Sequence, residues 1–198
     1  MWLYGASGHG KVIKEILESR GGKVDGFIDD NADLQEYVGL TVRHDAKCAD
    51  ELIISIGYNE VRKRIAENVS GVFAKAAVHS QAVVSDTVQI GEGSVVMAGA
   101  IINADTRIGR HCIVNTGASV DHECVLGDYV HIAPNATLCG QVKVGEGTMI
   151  GVGVSVVQCV TIGKWCKIGA GAVVLSDVPD GATVVGVPGR IIKYNKQG

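Results

Sequence analysis

The chain has 198 residues, a formal net charge of −3 and 46% hydrophobic residues, of which few are aromatic. This length predicts one or two domains, and the charge excludes the strongly basic surface that is typical of nucleic-acid-binding proteins. No apolar run reaches the roughly 20 residues of a membrane-spanning helix, and no signal-peptide pattern precedes the first apolar segment. The six cysteines show no paired spacing, so we expect neither a disulfide framework nor a metal site, in a reducing cytoplasm.

Strand and helix patterns alternate at the N-terminal end of the chain. Residues 1–4 predict a short strand, residues 5–11 form a glycine-rich loop, and a helical pattern follows the loop. Residues 24–28 predict a second strand that ends at Asp29 and Asp30. Strand, glycine loop, helix, strand and acid, in this order, open a Rossmann-like βαβ unit.

The glycine loop resembles two phosphate-binding motifs and completes neither. Gly5, Gly10 and Lys11 match the start of a P-loop, but Val12 replaces the Ser or Thr that would bind magnesium. The loop glycines also have the spacings of the dinucleotide-binding motif G-x-G-x-x-G, but in a different order. Amide groups at a helix N-terminus accept phosphate in either case, so the loop is either an anion site or a structural turn. Asp29 and its neighbour favour the anion site, because a doubly wound sheet places such acids against a ribose or a base.

The rest of the N-terminal part continues the alternation. Residues 37–43 predict a short strand or connection, and residues 52–56 predict an apolar strand that ends at Gly57. Asn59 is predicted to cap a helix. We therefore expect residues 1–75 to form a small α/β domain of the nucleotide-binding type.

A six-residue repeat begins after this domain and continues almost to the end of the chain. Each block of six opens on an aliphatic residue, and its fifth position is small or β-branched. Six is a multiple of the strand period of two, so the opening residues can face the same side of a stack of short strands. A helix would scatter them around its surface. The seventeen opening residues are Val78, Val84, Ile90, Val96, Ile102, Ile108, Val114, Val120, Leu126, Ile132, Leu138, Val144, Ile150, Val156, Ile162, Ile168 and Val174.

A fixed repeat of this length predicts a parallel β-helix with a stacked aliphatic core. Cys112, Cys124 and Cys166 occupy the small fifth position, which predicts that they fill the core. The pattern resembles the left-handed β-helix of hexapeptide-repeat acyltransferases, in which three blocks form a triangular coil of eighteen residues and the prisms assemble as trimers. We expect this domain to span residues 76–198.

One group of polar residues in the repeat could perform chemistry. His122 and Glu123 lie at a predicted corner, and Gly140 follows His122 by one eighteen-residue coil. Adjacent coils are about 4.8 Å apart, so the Gly140 amide would lie beside the imidazole, where it could stabilise an oxyanion. A neutral imidazole can accept a proton, and a neighbouring carboxylate raises its basicity. The alternative is a solvated surface histidine, which is our interpretation of His79 and His111.

Two stretches extend the resemblance over essentially the whole chain. They are residues 115–131, with the sequence NTGASVDHECVLGDYVH, and residues 4–10, with the sequence YGASGHG, accompanied by the acids at 29 and 30. Both are similar to the sialic acid O-acetyltransferase and UDP-4-amino-sugar N-acetyltransferase family. Residues 186–190 resemble the family's G-x-P-x-[RK] tail, which closes the β-helix near the coenzyme. Asn135 replaces a glycine of many relatives, and asparagine tolerates the left-handed backbone of such a turn.

The resemblance implies roles for individual residues. His122 would be the general base and Glu123 its supporting acid. The resemblance assigns acetyl-CoA to His131, Gly140, Val152 and Ala170, and the nucleotide part of the sugar donor to Ser7, Gly8, His9, Asp29, Asp30 and Gly57.

These observations lead to one functional hypothesis with two alternatives. We expect an acetyl-CoA-dependent N-acetyltransferase for a nucleotide-linked amino sugar, with direct attack on the thioester and no metal. O-acetylation of a sialic acid or another sugar hydroxyl is the first alternative, and a non-catalytic sugar-nucleotide-binding scaffold is the second. We also expect a homotrimer with the active site between two prisms, because outward apolar residues form a stripe that needs a partner: Val83, Val95, Ile101 and Val125.

Overall fold

The computed structural model describes residues 1–46 and 51–194. In these residues the N-terminal part contains a five-stranded sheet with strand order β3-β4-β2-β1-β5 and two helices. The bounds of these elements are β1 Trp2–Tyr4, α1 Gly8–Glu18, β2 Gly26–Ile28, β3 Glu36–Tyr37, β4 Leu40–Arg43, β5 Leu52–Ile54 and α2 Asn59–Asn68. Strands β1, β2, β4 and β5 are parallel, and β3 pairs antiparallel with β4. The predicted α/β architecture is confirmed.

The sheet reverses its direction of growth at β1. From β1 the chain passes through α1 to β2 on one side, and it later returns to place β5 on the other side. Ligands bind at such a switch point, outside the carboxyl ends of the strands. The glycine loop follows β1 directly, so the fold places the loop at this point.

The glycine loop and the first helix overlap more than the sequence indicated, because α1 already begins at Gly8. A Cβ atom on Gly10 would lie 2.7 Å from the carbonyl oxygen of Gly5 and 2.9 Å from the ring of Phe27. Gly10 therefore lets the helix pack closely against the sheet.

The predicted cap at Asn59 is wrong, since Tyr58 is the N-cap of α2 and Asn59 lies inside the helix. The Asn59 side chain instead donates a hydrogen bond to the carbonyl oxygen of Gly147 in the β-helix.

The repeat folds as a parallel β-helix with three faces. In the described part of the chain, the first face consists of β6 Ala77–Val78, β9 Val95–Val96, β12 Ile113–Val114, β15 His131–Ile132, β18 Met149–Ile150 and β21 Lys167–Ile168, and it continues into β23 Ala182–Val185 and β24 Arg190–Tyr194. The second face consists of β7 Val83–Val84, β10 Ile101–Ile102, β13 Ser119–Val120, β16 Thr137–Leu138, β19 Ser155–Val156 and β22 Val173–Val174. The third face consists of β8 Gln89–Ile90, β11 Arg107–Ile108, β14 Val125–Leu126, β17 Lys143–Val144 and β20 Thr161–Ile162.

The chain visits the three faces in turn, so each coil has three corners. We call the corner between the first and second faces the first corner, that between the second and third faces the second corner, and that between the third and first faces the third corner. Each strand pairs with the strand one coil later, for example Val120 with Leu138. The register is therefore eighteen residues, as the resemblance implied.

The opening aliphatic residues and the small fifth-position residues form one continuous core. Leu126, Ile132 and Leu138 are at most 2% exposed, and Cys112, Cys124 and Cys166 are buried among such residues. The prediction that these cysteines fill the core is confirmed. Cys48, which belonged to the prediction on cysteine spacing, lies outside the described residues, as do residues 195–198 of the predicted second domain.

The N-terminal domain covers the outer side of the first face. Val95, Met97 and Ile113 point out of the β-helix and pack with Leu3 and Ile13 of the N-terminal domain. The expectation that Val95 is exposed is therefore wrong, because it is only 2% exposed. The other members of the predicted apolar stripe, Val83, Ile101 and Val125, lie on the second and third faces and are exposed.

Arg62 of α2 connects the two parts of the chain. Its guanidinium, 1% exposed, donates hydrogen bonds to the carbonyl oxygens of His111 (2.7 Å) and Tyr129 (2.9 Å) in the β-helix. It also donates to the carbonyl oxygens of Ile56 and Gly57 and to Oδ1 of Asn59. A buried charge is costly unless its donors have acceptors, and here five acceptors surround it. Arg62 therefore fixes the Gly57 loop and α2 on the β-helix.

His111 lies at the third corner beneath α2, so its interpretation as a solvated histidine is wrong. The side chain is 2% exposed, stacks on Tyr129 with ring centroids 5.4 Å apart, and meets the Phe73 ring edge-on. Its Nδ1 atom has no hydrogen-bond partner among the described residues. Burial, with the charges of Arg110 and Arg62 as smaller causes, lowers the pKa of His111 to about 4.

We expect this buried neutral histidine to make the protein less stable in acid. The pKa of His111 is about 4 in the folded state and about 6.5 in an unfolded chain, so the unfolded state binds more protons below pH 6.5. The free energy of unfolding should therefore fall as the pH decreases from about 6.5 towards about 4. In His111→Phe this decrease should be smaller, because one such group is removed. Urea unfolding at pH 7 and pH 5, at one protein concentration, measures the difference. An unchanged pH dependence in the variant would contradict the neutral state of His111.

The C-terminal strands β23 and β24 pair antiparallel and extend the first face beyond the last coil. The connection between them consists of residues 186–189 of the tail motif, and Arg190 is the first residue of β24. Across residues 1–46 and 51–194, no helix is long and apolar enough to cross a membrane.

Candidate active site

Three loops meet at the carboxyl ends of β2, β1 and β5. They contain Asp29 and Asp30, Ser7 with the first two residues of α1 (Gly8 and His9), and Gly57. Ser7 is the N-cap of α1 but makes no side-chain capping bond, and the first turn of the helix contains no acidic residue. The positive end of the helix dipole and its free amide groups therefore face the loops, an arrangement that attracts phosphate. The fold brings all six residues assigned to the sugar nucleotide to this edge of the sheet.

The two acids at this edge have different surroundings. Asp29 is partly buried, and its carboxylate accepts hydrogen bonds from the N–H groups of Ala6 (2.8 Å) and Asn31 (3.0 Å). Asp30 is exposed and accepts one hydrogen bond, from the hydroxyl of Tyr4 at 2.6 Å. Burial and this hydrogen bond raise the pKa of Tyr4 to about 12. Asp29 thus holds the glycine loop in place, whereas Asp30 keeps acceptor capacity for a ligand.

We expect substitutions of the two acids to separate loop stability from nucleotide binding. Asp30→Ala should raise the KM for the sugar nucleotide, leave the KM for acetyl-CoA unchanged and preserve the melting temperature, because the loss concerns ground-state binding alone. Asp29→Ala should also lower the melting temperature, since two backbone N–H groups lose their charged acceptor. Asp33→Ala, in the same loop, is the matched control. An equal effect of Asp30→Ala on both KM values would contradict the assignment of Asp30 to the nucleotide.

His131 lies on the first face, at the junction with the N-terminal domain. Its Nδ1 atom is 3.3 Å from the carbonyl oxygen of Gly57, and its Nε2 atom is 3.1 Å from Nδ2 of Asn115. The Asn115 amide donates to Nε2, so the ring proton is on Nδ1 and is donated to Gly57. Burial, with Arg62 and His9 as smaller causes, lowers the pKa of His131 to about 3. The imidazole is therefore neutral at pH 7.

His9 approaches the same junction from the glycine loop. Burial, followed by the charge of Arg62, lowers the pKa of His9 to about 4. Its Nε2 atom is buried and has no hydrogen-bond partner within the part of the chain that the structure describes. A buried polar atom without a partner is uncommon, and it leaves a hydrogen bond available to a ligand of the loop.

His122 and Glu123 lie at the second corner, where both side chains are 52% exposed. Nδ1 of His122 is 3.1 Å from Oε2 of Glu123. The pKa of Glu123 is lowered, first by a hydrogen bond from Gln141 and then by the contact with His122, so the group is a carboxylate at pH 7. A carboxylate only accepts hydrogen bonds, so in the neutral imidazole the proton is on Nδ1, and Nε2 has no hydrogen-bond partner among the described residues.

Gly140 lies one coil above His122, as the repeat predicted. A Cβ atom at position 140 would be 2.5 Å from Nε2 of His122, so a larger residue there would displace the imidazole from this position. At their corners, the side chains of Asp121 and Asn115 each accept a hydrogen bond from the backbone N–H of the next residue. The residue before Gly140 is Cys139, and its side chain accepts no such bond from the Gly140 N–H among the described residues. Among the hydrogen bonds of the described residues, none uses the Gly140 N–H. The arrangement can therefore accept a proton at Nε2 and offer an amide donor next to it.

Val152 and Ala170 lie at the first corner in successive coils, and both are exposed. Asn115, the partner of His131, also belongs to this corner. Small residues line the same corner, since Gly153 and Gly171 have open space where a Cβ atom would be. The first corner therefore has open space beside its backbone in these coils.

The predicted site residues thus fall into two groups on one chain. The first group comprises the nucleotide loops, His131 and the first-corner residues Val152 and Ala170. The second group comprises His122, Glu123 and Gly140 at the second corner, which is the corner opposite the first face. The residues assigned to acetyl-CoA thus occur in both groups, with Gly140 at the second corner and His131, Val152 and Ala170 in the first group.

Several residues of these groups were missed by the sequence analysis. Arg62 and Asn115 support the junction, and Tyr4 contacts Asp30. Gln141 contacts Glu123, and its position eighteen residues later could have indicated this. The contact of Asn115 with His131 joins adjacent coils but departs from the eighteen-residue spacing. The contacts of Arg62 and Tyr4 cross between the two domains or between strands of the sheet, so they had no periodic signal.

Both the N-terminal part and the β-helix match a known family. Residues 1–69 match the PglD N-terminal domain, and residues 105–140 and 141–176 match the bacterial transferase hexapeptide family of six repeats. The curated UDP-N-acetylbacillosamine N-acetyltransferase of Bacillus subtilis (strain 168) is 41% identical over 110 residues. That match covers 48% of this chain and 50% of that protein, so the chain spans about half the length of this relative.

Solved structures match over nearly the whole chain. A point mutant of perosamine N-acetyltransferase from Caulobacter crescentus, in complex with CoA and GDP-perosamine, has a TM-score of 0.92 and 39% identity, with coverage of 97% of this chain and 96% of that one. The acetyltransferase domain of PglB from Neisseria gonorrhoeae FA1090, in complex with acetyl coenzyme A, has a TM-score of 0.90 and 37% identity, with coverage of 96% and 98%.

An α/β domain with a PglD-type loop, followed by a hexapeptide β-helix with a histidine–carboxylate pair, defines a two-domain hexapeptide-repeat acyltransferase. The sequence identity to the solved structures, which extends over nearly the whole chain, also identifies the family within this class. The chain belongs to the sialic acid O-acetyltransferase and UDP-4-amino-sugar N-acetyltransferase family.

Proposed function

We propose that the protein transfers the acetyl group of acetyl-CoA to the amino group of a nucleotide-linked sugar. The observation that carries the proposal is the position of Nε2 of His122, with a free lone pair beside the backbone of Gly140. The names of the relatives support the choice of substrates, since they act on UDP- and GDP-linked amino sugars and bind CoA. We propose residues 1–75 as the sugar-nucleotide domain and residues 76–198 as the acetyltransferase domain.

The reaction that this geometry supports is a direct acyl transfer. The sugar amine attacks the thioester carbonyl carbon, and His122 takes a proton from the amine as the C–N bond forms. The carbonyl oxygen becomes an oxyanion that the Gly140 N–H stabilises. The C–S bond then breaks, and the proton on His122 passes to the sulfur of CoA. Glu123 stabilises the imidazolium formed in between.

Both substrates would bind to residues of the first group and meet the base of the second. The loops that contain Ser7, Gly8, His9, Asp30 and Gly57 would bind the nucleotide part, with Asp29 holding the glycine loop. Acetyl-CoA would lie along the first corner, with its pantetheine arm against Val152 and Ala170. His131 is already bonded to Gly57 and Asn115, so it would present a neutral, fixed imidazole to the thioester end of the coenzyme.

We further propose a homotrimer in which each active site lies between two prisms. Support comes from the separation of the groups, because His122 projects from the corner opposite the first face and the nucleotide loops lie over the first face. A second copy of the chain can bring its second corner to these loops. The exposed Val83, Ile101 and Val125 give the second and third faces apolar surface that an interface would cover.

The experiment that tests the function is a mass-spectrometric screen of nucleotide-linked amino sugars with acetyl-CoA. We expect one or a few UDP- or GDP-linked amino sugars to gain about 42 Da, the mass of an acetyl group replacing a proton, with release of CoA. The corresponding sugars with a hydroxyl in place of the amine are the matched controls. Acetylation of the hydroxyl sugars alone would establish O-acetylation, and release of CoA with neither group would contradict the proposal.

A further inference from the structure

The second corner contains a chain of polar contacts that extends beyond the histidine–carboxylate pair. Oε2 of Glu123, the oxygen that contacts His122, also accepts a hydrogen bond from Nε2 of Gln141 at 3.0 Å. Oε1 of Gln141 in turn accepts a hydrogen bond from the thiol of Cys159 at 3.3 Å. Glu123, Gln141 and Cys159 occupy the same position in three successive coils, so the β-helix itself sets their spacing.

The chemistry of these groups determines how the Gln141 amide is oriented. A carboxylate can only accept, so Gln141 must present its NH2 group to Glu123. Its carbonyl oxygen then points the other way, to the donor thiol of Cys159. The backbone N–H of Gln141 also donates to the carbonyl oxygen of His122 at 2.9 Å. Both the nitrogen and the oxygen of the Gln141 side-chain amide therefore have a partner, and its backbone is hydrogen-bonded directly to His122.

We infer that Gln141 is a positioning residue for the proton transfer, an inference that rests on the proposed function. Glu123 is half exposed, and without a second partner its carboxylate would rotate into water. The hydrogen bond from Gln141 holds Oε2 in front of Nδ1 of His122. The proton is thereby kept on Nδ1, and Nε2 remains the proton acceptor beside Gly140.

The state of Glu123 agrees with this role. The hydrogen bond from Gln141 is the largest cause that lowers the pKa of Glu123, ahead of the contact with His122. Gln141 therefore favours the charged carboxylate, which is the form that accepts the Nδ1 proton and stabilises an imidazolium.

The kinetic test uses Gln141→Leu, which removes the donor and keeps a side chain of similar size. We expect kcat to fall about tenfold, less than for loss of the base itself, with both KM values unchanged. Cys159→Ser keeps a donor for the Gln141 carbonyl and should retain kcat, whereas Cys159→Ala should lower it to a smaller extent than Gln141→Leu. Gln89→Leu, an exposed glutamine on the third face, is the matched control and should behave like the wild type.

A second measurement separates this inference from the proposed function. Long-range ¹⁵N–¹H spectra of histidine-labelled protein report which imidazole nitrogen carries the proton, and the His122→Asn variant assigns the signals. We expect the Nδ1–H form of His122 in the wild type and a shift towards the Nε2–H form in Gln141→Leu. The same tautomer in both proteins, or an unchanged kcat in an active enzyme, would overturn the role of Gln141. An inactive wild type with the expected tautomer shift would instead refute the proposed function and leave the positioning contact supported.

Discussion

His122→Ala should lower kcat by about 10²–10⁴, which is the usual contribution of a general base. The KM values for both substrates should change little, because Nε2 acts on the proton that moves during the reaction and the nucleotide and coenzyme are bound elsewhere. Steady-state kinetics with each substrate varied in turn measure the two effects. Glu123→Ala should cost less than His122→Ala, since it removes the partner of the base and leaves the base in place.

The pH dependence gives a control for this interpretation. A general base acts only in its unprotonated form, so base catalysis predicts a wild-type rate that rises with pH. His9 and His131 cannot produce this rise near neutrality, because their pKa values are lowered to about 4 and about 3. His79→Ala removes another histidine of the β-helix and should leave the rate unchanged. Near-normal turnover in His122→Ala, together with its loss in His131→Ala, would reverse the assigned roles.

Mixing two impaired variants should restore activity if the active site is shared between chains. His122→Ala removes the base, and His131→Ala should raise the KM for acetyl-CoA. Each variant should therefore be weakly active alone at low acetyl-CoA. In trimers refolded from equal amounts of both, about one site in four would combine an intact His122 with an intact His131 from the neighbouring chain. Recovery to about a quarter of the wild-type rate is thus expected.

Control mixtures distinguish an active site shared by two chains from one formed within a single chain. Mixing either variant with itself should give no recovery, and mixing without refolding should give none if the trimers do not exchange chains. The double variant His122→Ala/His131→Ala refolded with an equal amount of wild type should give about a quarter of the wild-type rate if the site is shared, and about half if each site lies within one chain. Absence of recovery in mixed trimers of confirmed composition would place both groups of residues in one chain. A stable monomer of 20.7 kDa in sedimentation would refute the trimer itself.

The β-helix could be predicted from the sequence because its contacts are periodic. Val120 pairs with Leu138 for the same reason that every block pairs with the block eighteen residues later, so a local pattern determines the core and the register. The proximity of His122 and Gly140 follows from that register, since both occupy the same position in successive coils. The glycine loop and Asp29 could be placed as well, because parallel strands bring their carboxyl ends to one edge of a sheet.

The arrangement of the two domains could not be predicted in this way. Docking on the first face buries Val95 and His111, and nothing in the repeat distinguishes the first face from the other two. Arg62 binds carbonyl oxygens of both domains, and backbone carbonyls have no signature in a sequence. The sequence alone determined the coil, its core and the histidine–glycine pair through local spacing. Only the tertiary structure decided that His131 faces the nucleotide loops and that His122 projects from the opposite corner, because that depends on which face the N-terminal domain covers.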